Sequence, residues 1–93
     1  MTLDITKFAR CYALDIAATL DAHDLLNVAL GQVSEHDFFD ANDSVLDAYK
    51  RASADRSEPL FMDDADTPEA QYELTAINAG IELAHQYIKE SIL

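Results

Sequence analysis

The residues that interrupt helices are scarce in this chain: glycine and proline occur only at Gly31, Gly80, Pro59 and Pro68. Alanine is frequent between them, and apolar residues recur at three- and four-residue steps, so the backbone is free to coil over almost its full length. The period-two alternation that marks strands is absent. The expectation is an all-α protein, a small three- to four-helix bundle with residues 1–93 forming a single helical domain.

From Asp4 onward, Ile5, Phe8, Tyr12, Ile16 and Leu20 line one stripe of an amphipathic first helix. Two continuations stay open: Asp21 caps a separate short helix, or the first helix runs on with a bend to Leu30, where Gly31 stops it. Ser34-Glu35-His36-Asp37 reads as an N-cap with acids in the first turn. It predicts a middle helix over roughly 35–53 that carries Phe38, Phe39, Val45, Leu46, Tyr49 and Ala52 and has a possible restart at Asn42 and Asp43. Residues 53–67 are the long loop, in which the apolar triplet Leu60-Phe61-Met62 reads first as a plug at the edge of the core and second as an exposed partner-binding hook.

Thr67-Pro68-Glu69 combines a capping hydroxyl, a proline at the first helical position and an acid at the positive end of the helix dipole, and so starts a last helix over about 68–91. That helix puts Leu74, Ile77, Ile81, Ala84 and Ile88 on one face. Tyr72, Ala76, Leu83 and Tyr87 extend the apolar surface sideways, which makes Tyr72, Leu83 and Tyr87 candidates for self-association. Gly80 costs about 1 kcal/mol in a helix interior and suggests close approach of another backbone.

Charge narrows the choice of partner. Acids number 18 against 6 basic residues, for a formal net charge of −12, and no lysine or arginine lies between Cys11 and Tyr49. Such a chain is a poor ligand for nucleic acid or anionic lipid, whose phosphates need basic contacts. A hydrophobic fraction of 49% still argues for a folded core. With Cys11 alone there is no intrachain disulfide, and no basic leader or membrane-length apolar run is seen, so the expected location is cytoplasmic.

Chemistry-bearing motifs are weak. His36, Asp37 and Asp40, with His23 elsewhere, supply ligand types for a metal-dependent hydrolase but too few of them, and surface histidines among acids are the ordinary reading. The oxygen-rich run from Asp40 fails as a calcium loop, because Val45 stands where glycine is needed and Arg51 where a bidentate glutamate is needed. Glu69 and Glu73 read as a solvated helix face. No catalytic residue, metal ligand or cofactor is assigned, and the chain is expected not to be an enzyme.

Asp15, Asp21, Asp24, Glu35, Asp37, Asp40, Asp43 and Asp47, with Asp63, Asp64 and Asp66, are the candidate partner-binding residues. In size, charge and helical texture the chain resembles the small acidic proteins that phages and other mobile elements use against host nucleic-acid machinery, including anti-CRISPR proteins and DNA mimics. That resemblance implies a stoichiometric inhibitor whose carboxylates take phosphate positions in a cationic groove. The alternative is a small self-associating helical module whose charge serves only solubility.

Overall fold

The computed structural model describes residues 3–53 and 66–92. Among the described residues four helices follow one another: α1 (Ile5–Thr19), α2 (Ala22–Ala29), α3 (Ala41–Ala52) and α4 (Pro68–Ile92), with a 3-10 turn at Glu35–Asp37 between α2 and α3. The all-α bundle is thus the fold, and among the described residues no strand occurs. One isolated antiparallel bridge joins Leu3 to Ser53. It ties the start of α1 to the end of α3 and sets those helices antiparallel. The triplet Leu60-Phe61-Met62, with Asp63 and Asp64, lies outside the described residues.

The open question at Asp21 resolves as two helices. Leu20 leaves the helical conformation, and the Asp21 side chain accepts from the backbone N–H of Asp24 at 2.9 Å, satisfying a donor that a continuous helix would have paired internally. Gly31, at φ 77°, ends α2 in the left-handed conformation that glycine tolerates best.

The middle helix expected from residue 35 is corrected. Ser34 and Asp37 form a reciprocal capping box around one short turn, the chain leaves the helical path after Phe38, and Asp40 caps α3 by accepting from the Asn42 N–H at 3.1 Å. The break thus falls ahead of Asn42 and Asp43, because two capping acids three residues apart satisfy the donors of two separate helix starts. Phe38 is left exposed and Phe39 half-buried.

Helix α1 is the centre of the bundle, packing on both α3 and α4, while α2 lies against α4. The core is drawn from every helix: Phe8, Tyr12 and Ile16 of α1, Leu25 and Val28 of α2, Val45 and Tyr49 of α3, Ile77 and Ile88 of α4. The buried stripe of α4 runs Ala70, Glu73, Ile77, Gly80, Ala84, Ile88, a regular helical face interrupted chemically by an acid and a glycine. At Gly80 the close neighbour is an aromatic ring and not another backbone: an ideal Cβ there would stand 2.5 Å from Phe8 Cδ1 and 2.9 Å from Cε1. Phe8 in turn lies parallel to Tyr12, with ring centroids 6.1 Å apart.

Candidate functional site: carboxylates sorted by the fold

Many of the acids have structural employment. Asp4, Asp21 and Asp40 are helix caps, and Asp37 accepts from the Ser34 N–H at 3.3 Å. Each carboxylate at a helix start meets unpaired N–H groups and the positive end of the backbone dipole, so its charge stabilises the helix it begins.

Glu35 departs most from expectation. It is only 7% exposed and so is not displayed to a partner. Its carboxylate accepts the Tyr12 hydroxyl from α1 and faces His85 Nε2 of α4 at 3.3 Å. Burial by itself would raise its pKa, but the hydrogen bonds from His85, Tyr12 and its own backbone N–H prevail and hold it down to about 2. The Tyr12 hydroxyl is pushed far above the usual phenol range, first by burial and then by the bonded Glu35 carboxylate. Tyr12, Glu35 and His85 therefore fasten the turn between α2 and α3 to the two long helices. Phe8 against Gly80 and Tyr12 beside His85 also show that α1 and α4 run in the same general direction.

A second such contact corrects the reading of Glu73. Its carboxylate is buried and accepts the Tyr49 hydroxyl at 2.8 Å, joining α3 to α4. Glu69 remains exposed on the first turn of α4. Buried acids of this kind are tolerated because their oxygens find donors.

Across α1 and α3 the fold does bring two of the candidate carboxylates together. Asp15 and Asp47 are neighbours, and Asp47 is also bridged to Arg51 at 3.1 Å. Burial and the adjacent Asp47 raise the Asp15 pKa against the opposing pull of Arg51. Asp40, Asp43 and Asp47 follow one another at three- and four-residue steps and so share a stripe of α3. Asp43 and Asp40 are exposed, Asp15 and Asp47 half-buried. Asp21 and Asp24 sit apart at the start of α2, and Asp66 is exposed just before α4.

His23 and His36 are exposed, and among the described residues no group of three or more His, Cys, Asp or Glu side chains is arranged to hold a metal ion. Cys11 is half-buried against the core. Among the described residues no helix is long and apolar enough to cross a membrane.

Of the self-association candidates, Leu83 and Tyr87 pack against the intramolecular core, whereas Tyr72 is 79% exposed. Sequence reasoning passed over His85, whose partner Glu35 is 50 residues away. It also passed over an open apolar groove of about 360 Å³ lined by residues of α1, α2 and α4. No local pattern marks either feature, since both depend on which helix faces meet.

Set beside known proteins, the chain matches no protein-family model, and no curated protein and no solved structure shows significant similarity to it.

Proposed function

We propose that this is a non-enzymatic acidic binding protein that inhibits a nucleic-acid-handling protein or complex by occupying a cationic surface, with the exposed edge of α3 and the adjoining part of α1 as its contact face. The observation that carries the reading is the juxtaposition of Asp15 and Asp47 across α1 and α3, with further negative charge along the Asp40-Asp43-Asp47 stripe, of which Asp47 alone is bridged to a base, Arg51, among the described residues. Like charges held side by side destabilise a free surface, and an arginine or lysine from a partner relieves that repulsion. Two packed helices hold the carboxylates in fixed relative positions, which favours rapid, charge-steered encounter. The contact face is narrower than the full set of acids, because Glu35 is buried and Asp21 and Asp24 stand apart.

The test is the quadruple variant Asp37→Asn, Asp40→Asn, Asp43→Asn, Asp47→Asn, assayed by capture from the nucleic-acid-binding fraction of a host lysate at low and high salt. Asparagine serves as an N-cap nearly as well as aspartate, so the helix starts are preserved. Loss of a salt-sensitive partner with an unchanged circular dichroism spectrum is expected. Equal capture by the variant rejects the reading. The second reading, self-association, is favoured by the exposed Tyr72 ring alone; a concentration-independent monomer in sedimentation removes it.

A further inference from the structure

The groove beside α1 has a composition unlike the rest of this molecule. Arg10, Ala13, Leu14 and Ala17 of α1 form one wall, Tyr87, Ile88 and Ser91 of α4 the other, and Leu25 of α2 completes it. Among the described residues no acid lines it, in a chain where acids outnumber bases three to one. Leu25 and Ile88 are buried, Ala13 and Ala17 are small, and Leu14 stands 68% exposed. The volume of about 360 Å³ lies within the range of small-molecule sites, roughly 300–1,000 Å³. The α1 wall runs from Arg10 to Ala17, about 10 Å along the helix axis.

Among the described residues Arg10 is the single charged member of the lining, and it sits at the N-terminal end of that wall. It is exposed, and among the described residues its guanidinium has no hydrogen-bond or ion-pair partner. Among the described lysines and arginines only Arg51 has an ion-pair partner, Asp47, so the Arg10 guanidinium is free to meet a ligand. The nearest acid of α1 in sequence, Asp15, is turned towards Asp47 of α3, away from the groove. At physiological salt the more distant negative charges are screened over about 8 Å, which leaves Arg10 to set the local preference.

We infer that the groove binds a single-chain amphiphile with an anionic head, a medium-chain fatty carboxylate, its alkyl chain lying between α1 and α4 and its carboxylate on Arg10. The open trough lined by alanine, leucine and isoleucine offers apolar surface to one flexible chain, whose burial supplies the affinity. The planar guanidinium suits a carboxylate through paired N–H donors. This site is separate from the Asp40-Asp43-Asp47 stripe, and its occupancy is independent of the function proposed above.

The experiment is a titration of the isotopically labelled full chain, followed by amide resonances, with decanoate, decanol and decyltrimethylammonium, each below its micelle concentration and at physiological salt. Saturable shifts at Ala13, Leu14, Ala17 and Tyr87 are expected, with decanoate the tightest and the cation the weakest. Arg10→Gln is expected to weaken decanoate roughly tenfold or more, the scale of a lost charge-assisted hydrogen bond, while leaving decanol unchanged. Ala17→Phe, at an exposed position, fills the trough and abolishes all binding with the fold intact. The inference is overturned if the cation binds as tightly as decanoate, if Ala17→Phe saturates as the parent does, or if no saturable shift is seen. It is equally overturned if the free chain is a dimer that Ala17→Phe converts to a monomer, since the groove is then occupied by a second copy.

Discussion

Gly80→Ala sets two known effects against each other. Alanine in a helix interior gains about 1 kcal/mol over glycine from propensity alone. The added methyl, however, would stand 2.5 Å from Phe8 Cδ1, closer than real carbon contacts allow. Phe8 has no exposed surface and is stacked alongside Tyr12, which is itself held by Glu35, so the ring has nowhere to retreat. Overpacking of this kind costs about 1–3 kcal/mol. The expected net result is a loss of up to about 2 kcal/mol, or up to roughly 16 °C in Tm for a domain of this size. Urea unfolding measures it directly. In a Phe8→Leu background the ring edge is gone, and the same Gly80→Ala change should then become neutral or stabilising. If Gly80→Ala stabilises the otherwise unaltered protein, or if its effect is the same in both backgrounds, the steric account of the glycine is wrong.

Gly31→Ala should also destabilise, by about 1 kcal/mol, but for a backbone reason: φ is 77° and no atom lies within 4 Å of the added Cβ, so no second-site change in packing should rescue it. Glu35 has a folded pKa near 2 against 4.5 when unfolded, so its ionised form contributes stability that is complete above about pH 4.5 and is lost as pH falls towards 2. The stability gap between the parent protein and Glu35→Gln, up to about 3 kcal/mol at neutral pH, should therefore close over that window; a constant gap from pH 7 to pH 2 would refute the assignment. Asp15 is shifted the other way: its folded form holds a proton more readily than the unfolded chain, and its ionisation opposes folding as pH rises. Asp15→Asn should raise neutral-pH stability in urea unfolding, and the gain should shrink in high salt and at acid pH. Tyr49→Phe removes the hydroxyl donated to buried Glu73 and should cost about 1–3 kcal/mol by thermal unfolding.

Much of the secondary structure is a local matter and could be read one residue after another. Helices α1 and α4 follow from apolar spacing, with Thr67 as the cap of α4, and the turn after Leu30 follows from Gly31, which takes the left-handed backbone without a Cβ penalty. The failure at residues 35–53 has a local cause too, because the Asp40 cap was hidden among acids that composition alone had marked as surface charge. Which carboxylates are on display was a different kind of question. Glu35 and Glu73 look like their solvated neighbours in the sequence, and only the arrival of Tyr12, His85 and Tyr49 from other helices makes their burial tolerable. The apolar groove at Arg10 and the Asp15–Asp47 pair arise in the same way, from helix faces far apart along the chain. Periodicity and caps act within a few residues and are written in order along the backbone. The desolvation of a charge and the shape of a groove depend on distances through space, and those were decided only when the helices packed.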